Sequence, residues 1–220
     1  MTRGVYTHVP SEGPKNAKII LHLCADVGTD SKPYKDMGYD VRLIGSDMGV
    51  ENYSPLDNVN VYGIIANPVC TEFSVAQGFD KFCNYEEGLF LVRECLRIIV
   101  ACSPKFWVIE NPASGRLKKV IGAPQMTYEP WEFGSPWTKK TGLWGIFNKP
   151  KKVYTKWEDV PKNSKLYIRP KRPKPSIAFL HKSAQNDIEE FSCFPQAVND
   201  MSFRSFCPQT FAWAFFMVNQ

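Results

Sequence analysis

No apolar run in the 220 residues reaches membrane-spanning length, and the start, Met-Thr-Arg-Gly-Val-Tyr-Thr-His, has no apolar core behind Arg3. Neither a membrane-embedded nor an exported protein is expected. The seven cysteines (Cys24, Cys70, Cys83, Cys95, Cys102, Cys193, Cys207) are odd in number and include no Cys-x-x-Cys pair. They suggest no zinc site, no other metal and no disulfide framework, and a reducing cytoplasm suits them. There is no internal repeat and no clear domain linker. What remains is a chain 44% hydrophobic, enough for the core of one α/β domain or of a domain with a modest insertion.

The net charge of +5 is unevenly spread. From Lys139 to Lys174 twelve Lys and Arg stand against Glu158 and Asp159, a local +10 that leaves −5 elsewhere. Trp144, Phe147, Tyr154, Trp157 and Tyr167 are interleaved with these charges, and the stretch closes on Arg169-Pro170-Lys171-Arg172-Pro173-Lys174-Pro175. Basic side chains neutralise phosphates and aromatics stack on bases, so the composition suits nucleic acid, with Lys149, Lys151, Lys152, Arg169, Lys171 and Arg172 as candidate contacts. A solvated, proline-stiffened surface loop has the same composition.

Along the chain, strand and helix signals alternate. Residues 17–23 read as a buried strand, 31–37 as a short helix stopped near Gly38, 40–45 as a second strand and 61–66 as a third, with loop over 51–60. Tyr85 to about Ala101 reads as the longest helix, with Leu89, Val92, Leu96 and Ile99 or Val100 at helical spacing. Phe106 to Ile109 reads as a strand ending at Glu110-Asn111-Pro112, and 114–121 as a short helix. Pro208 to Val218 reads as a final helix with an aromatic face from Phe211, Phe215 and Phe216.

This alternation predicts a mostly parallel sheet with helices on both faces. In such sheets ligands bind beyond the carboxyl ends of the strands. Asp26, Gly28, Asp47, Cys70 and Glu110 would share that edge. Asn67-Pro68 ends the third strand because proline offers no ladder donor and asparagine favours turns, and the turn presents Cys70. A free cysteine is more often a packed small hydrophobe. Gly28 lies nineteen residues before Asp47, near the interval at which a glycine turn approaches a ligand and an acid takes its ribose hydroxyls, although such turns usually carry two or three glycines.

Four segments in this order resemble a small DNA cytosine-5 methyltransferase of the kind that bacteriophage genomes carry. Leu21-His22-Leu23-Cys24-Ala25-Asp26-Val27-Gly28-Thr29-Asp30 resembles the family's first cofactor loop, and Asn67-Pro68-Val69-Cys70-Thr71-Glu72-Phe73-Ser74 its nucleophile motif. Ile109-Glu110-Asn111-Pro112 resembles the Glu-Asn motif, and residues 204–216 the terminal helix that closes back on the cofactor pocket. The resemblance covers roughly residues 17–122 and 199–220.

The resemblance implies a Rossmann-like methyltransferase fold and methyl transfer from S-adenosylmethionine to cytosine carbon 5 in DNA. Cys70 would be the nucleophile, Glu110 the acid at ring nitrogen 3, and Asn111 the residue holding the local turn. Cys24, Ala25, Asp26, Gly28, Asp47 and Asn67 would meet the cofactor. The target base would have to be flipped from its duplex. The expected division is a catalytic core over 1–138, a loop-rich basic insertion gripping DNA over 139–175, and a C-terminal segment over 176–220.

Four departures stand out, the first being Cys24 where the family usually has an aromatic that lies against the cofactor. Asp26 replaces a usual glycine, either pairing with the cofactor's ammonium or weakening its binding; Val69 separates Pro68 from Cys70; and no Gln-x-Arg-x-Arg motif is found. Three alternatives stay open: a decayed methyltransferase fold acting as a nucleic-acid or partner-binding module, a methyltransferase acting on an amino group, and one acting on a free nucleotide.

Overall fold

A computed structural model describes residues 17–55, 60–74, 84–180, 188–192 and 200–220. Cys83, Cys193 and the amino-terminal residues lie outside these. Strands β1 (Ile19–Leu23), β2 (Asp40–Ile44), β3 (Val61–Ala66), β4 (Phe106–Pro112), β5 (Met126–Tyr128) and β6 (Thr141–Ile146) form one sheet in the order β2-β1-β3-β4-β6-β5. The pairings from β2 through β4 are parallel, and β6 is antiparallel to both β4 and β5. This is a Rossmann-like α/β fold. After β1 the chain goes first to β2 on one side and then to β3 on the other, so the order reverses beside β1 and opens a crevice between the loops that follow β1 and β3.

Strand periodicity divides the core into two layers. Leu21, Leu23, Ile64, Ala66 and Ile109 face helix α2 (Tyr85–Cys102). Ile20, Ile65, Phe106 and Val108 face Tyr34 of helix α1 (Lys32–Asp36) and the aromatic side of helix α6 (Gln209–Val218). The helices therefore lie on both faces. Helix α2 begins where Asn84 accepts a hydrogen bond from the Glu87 N–H and ends at Ser103, whose left-handed φ of 45° allows its N–H to close on Ile99. Its buried stripe is Gly88, Val92, Cys95, Ile98 and Ile99. Val100, one of the expected core positions, is 78% exposed, because the stripe drifts round the helix with the 3.6 period.

Two expectations are corrected here. Strand β4 does not stop before Glu110 but runs through Pro112, because β6 pairs with it from Trp107 to Pro112. The missing N–H of Pro112 costs no ladder bond: Ala113 N–H turns to Lys140 on the β6 side, so residue 112 faces the side that β3 has already left. The basic stretch also does not begin as a loop, because its Thr141–Ile146 segment is strand β6, buried except at Ile146. Trp144 is correspondingly core rather than surface, its ring N–H donating to Gly122 O at 2.8 Å.

A third cluster joins Trp137, Leu166 and Ile177 to Ile188, Phe191, Phe203 and Phe206. Residues after Lys139 are thus packed with the C-terminal segment. The remaining described α-helices, α3 (Lys118–Ile121), α4 (Glu189–Ser192) and α5 (Asp200–Ser205), are short.

Candidate active site

Register sets the first feature of the carboxyl edge. His22 pairs with Ile65, and Ile65 with Val108, so the next residues of like parity, Asn67 and Glu110, point to the same face as His22. His22 is buried, with Nε2 2.7 Å from Asn67 Oδ1 and Nδ1 2.8 Å from Ser31 Oγ. Burial lowers its pKa against the opposing pull of Asp30, which leaves a neutral imidazole. An amide oxygen only accepts, so Nε2 carries the proton and Nδ1 accepts from Ser31. The Asn67 amide then donates to Asp30 Oδ1 at 3.4 Å. This chain fixes the residue at which β3 becomes the Cys70 loop.

That loop is held from β4. Asn111, buried, donates through Nδ2 to Pro68 O at 2.9 Å, and Arg116 N–H donates to Phe73 O at 2.7 Å. The loop closes on itself with Phe73 and Ser74 N–H groups on Cys70 O, and Phe73 is fully buried against Tyr85. Val69 points outward and Cys70 is half-buried. Burial pushes the Cys70 thiol up, the Glu110 carboxylate pushes it further, and Lys139 pulls it back. The Glu110 carboxylate is thus near enough for its charge to act on the Cys70 thiol.

Glu110 is itself raised, first by burial and also by Asp30, with Lys139 and the Asn67 amide opposing. Its Oε1 lies 3.4 Å from Lys139 Nζ and accepts from Thr141 Oγ1 at 3.4 Å. Beneath it, a cavity of about 20 Å³ between the sheet and α6 is lined by Asp30, Glu110 and Cys207 at its polar end. That is room for about one water molecule, not for a substrate.

The start of α6 clasps the β1 loop. Cys207 N–H donates to Thr29 Oγ1 at 3.0 Å and Gln209 Nε2 to Thr29 O at 3.1 Å. Glu190 accepts from Gln209 N–H, Ser135 Oγ and the Trp137 ring, and burial raises its pKa.

The remaining expected cofactor residues sit apart, towards β2. Cys24 adopts a left-handed φ of 56° and places its Sγ 3.8 Å from Cys95 Sγ, and Ala25 N–H donates to Ile44 O. Asp26 Oδ1 accepts from Ser46 N–H at 2.7 Å and Ser46 Oγ at 3.0 Å. A side chain at Gly45 would lie 2.3 Å from that oxygen, so the close approach requires glycine there. Gly28 has φ 72°. Asp47 is exposed, with no hydrogen bond among the described residues.

The candidate nucleic-acid residues are all exposed. Lys152 pairs with Glu132 at 2.7 Å, while Arg169 and Arg172 stack over Phe179 at 3.8 and 4.8 Å. Asn148, just before Lys149, is bonded to Asn219 near the end of α6, at the amino edge of the sheet. The second cluster returns to the carboxyl edge, where Thr138 N–H donates to Pro175 O next to Lys139.

Three residues that matter here were not singled out as site residues from the sequence. His22 had a signal, a lone polar residue in an apolar strand at the parity of Ile20. Asp30 and Lys139 had none, because only the folded chain brings them to Glu110. Among the described residues no group of His, Cys, Asp or Glu is arranged to hold a metal ion, and no helix is long and apolar enough to cross a membrane.

No protein-family model matches the chain, and no curated protein matches it. Among solved structures it is similar to an Escherichia coli prophage protein that is itself a candidate DNA modification methyltransferase, with 15% identity and a TM-score of 0.44. The match covers 75% of this chain and 55% of that one, so the chain spans little more than half the length of that neighbour.

Proposed function

We propose that the protein is an S-adenosylmethionine-dependent methyltransferase acting on carbon 5 of cytosine in DNA through a Cys70 adduct. The observation that carries this reading is the pairing of a half-buried thiol with a largely buried acid across the ends of adjacent parallel strands, with the acid close enough for its charge to act on the thiol. Cytosine carbon 5 is a poor nucleophile. Once Cys70 has lost its proton, its sulfur bonds to carbon 6 and the ring's electrons become available at carbon 5. Glu110, raised towards its protonated form, gives or shares a proton at ring nitrogen 3 and so stabilises the charge that attack pushes into the ring. Asn111 acts by holding the Pro68 carbonyl, which keeps Cys70 over β4.

The crevice between the loops after β1 and β3 is where a nucleoside-bearing cofactor would sit. Asp47 has a free carboxylate for ribose hydroxyls, Gly28 gives a turn that admits close approach, and Cys24, Ala25 and Asn67 line the same edge. When bound, S-adenosylmethionine supplies an electrophilic methyl group. Asp26 is engaged with Ser46, so its role is to tie the β1 loop to β2 rather than to pair with the cofactor's ammonium. The exposed cluster Arg169, Lys171 and Arg172 lies nearest the edge and grips phosphates, with Lys149, Lys151 and Lys152 extending the track. A non-catalytic binding module is the second reading, favoured by the upward push on the resting Cys70 thiol.

The test is incubation with methyl-labelled S-adenosylmethionine and DNA, together with DNA carrying 5-fluorocytosine. Label transfer and a trapped protein–DNA adduct absent in Cys70→Ala are expected. DNA binding with neither would leave the binding-module reading.

A further inference from the structure

Lys139 is the first residue of the basic stretch, yet its side chain turns inward, with 17% exposure against 13% for its partner Glu110. An ammonium has three N–H donors. The acceptors around Nζ are Glu110 Oε1 at 3.4 Å, Ser205 O at 3.0 Å and Phe206 O at 3.2 Å. Its backbone is pinned as well, Lys139 N–H donating to Glu129 Oε2 at 2.9 Å. Burial works against its charge, but the Glu110 carboxylate and, after it, Asp30 keep it an ammonium.

A buried cation needs an anion, and removing that anion is costly. In the resting site the anion is Glu110. When Glu110 takes up a proton or engages a base, Lys139 loses the carboxylate bonded to it and keeps only the more weakly acting Asp30, and the Cys70 thiol, which already feels its field, is a group that can make up the lost charge.

We propose that Lys139 is a positioning residue of the Cys70–Glu110 site, the buried cation whose counter-charge passes from the Glu110 carboxylate to the Cys70 thiolate. This rests on the reading that Cys70 is the nucleophile. It also assigns the site a cation where sequence reading found no arginine motif. The proton balance is simple: Cys70 gives up one proton, Glu110 holds one, and Lys139 keeps its own throughout. Through Ser205 and Phe206 the same ammonium fastens the segment leading into α6 to the reacting carboxylate.

The experiment measures Cys70 labelling by iodoacetamide, resolved by peptide mass spectrometry, at about pH 7.5, since the thiolate is the reacting form. Glu110→Gln mimics the protonated acid and should label about tenfold faster than the wild type, the effect of one pKa unit. Adding Lys139→Gln should cancel that gain, and adding Lys139→Arg should restore it. Equal rates in Glu110→Gln and Glu110→Gln/Lys139→Gln would overturn the proposal.

Should Glu110→Gln not fold, Lys139→Arg and Lys139→Gln are compared with Glu110 intact at about pH 5, using a dipyridyl disulfide as the thiol probe. Faster labelling of the arginine variant is expected, and equal labelling overturns the idea. Labelling needs no methyl transfer. A chain that transfers no methyl but shows the Lys139 effect would defeat the proposed function alone, and active transfer without the effect would defeat only the role of Lys139.

Discussion

At the β1–β2 end of the sheet's carboxyl edge the acids Asp26 and Asp47 are exposed, and one of them spends its carboxylate on a neighbouring serine. Towards β3, β4 and β6, His22 of β1 is buried and Glu110 and Lys139 are largely so; burial lowers His22 against the pull of Asp30, while Glu110 and Lys139 are shifted by burial and by each other. Under the proposed function the contrast separates a half that binds from a half that reacts. Exposed acids on loops accept hydroxyl donors at little cost. Buried acids and thiols in mutual contact change proton occupancy when a neighbour changes charge.

The largest effect expected is at the buried end. Cys70→Ala should reduce methyl transfer to background and Glu110→Gln by about 10²- to 10⁴-fold, the range for a general acid. A Cys70→Ala protein that still transfers methyl groups at the wild-type rate would end the division into reacting and binding halves. At the open end, Asp47→Ala should leave the chemical step alone and weaken S-adenosylmethionine binding about tenfold, as for loss of a charge-assisted hydrogen bond. Calorimetric titration measures it, and unchanged affinity would remove Asp47 from the crevice.

How much of this was legible follows from what each signal depends on. The β3 and β4 edges can be read because strand period and turn residues are local, and the places of Cys70 and Glu110 in sequence are enough to predict that they share that edge. Strand β6 was hidden, since Thr141-Gly142-Leu143-Trp144-Gly145-Ile146 sits inside a stretch whose charge dominates its reading. Its glycines make the strand possible: a side chain at Gly145 would lie 2.1 Å from Trp107 O. Lys139 and Glu190 were illegible for another reason, their partners being at long range in sequence. A lysine heading a basic run carries no local mark that it will turn inward.

The two basic clusters probe the same contrast from outside. Neutralising Arg169, Lys171 and Arg172 should weaken binding to every DNA sequence alike and flatten the dependence of log affinity on log salt, by about 0.9 for each phosphate no longer neutralised. Neutralising Lys149, Lys151 and Lys152 should do the same to a smaller degree, because that cluster begins at the amino edge of the sheet and Lys152 is already paired with Glu132. Fluorescence anisotropy over a salt series decides it. A larger effect from the lysines would put the DNA track along the flank of the sheet rather than over Cys70.

The smallest effect tests whether burial, rather than catalysis, is what raises the acids. Glu190 accepts from the Gln209 N–H at the start of α6 and is raised by burial in spite of the hydrogen bonds from Ser135, Gln209 and Trp137. A carboxyl raised in the folded state binds its proton there after the unfolded chain has released its own. Its contribution is therefore complete below the ordinary carboxyl value and is lost as pH rises through the folded value. In Glu190→Gln that titration is gone, so the stability of the wild type relative to this variant should fall as pH rises above the ordinary carboxyl range, from about pH 4 upwards. Urea unfolding across that range measures the difference. A constant difference would mean that Glu190 is not raised in the fold, and the contrast between the buried and open acids would then belong to the Glu110 site alone.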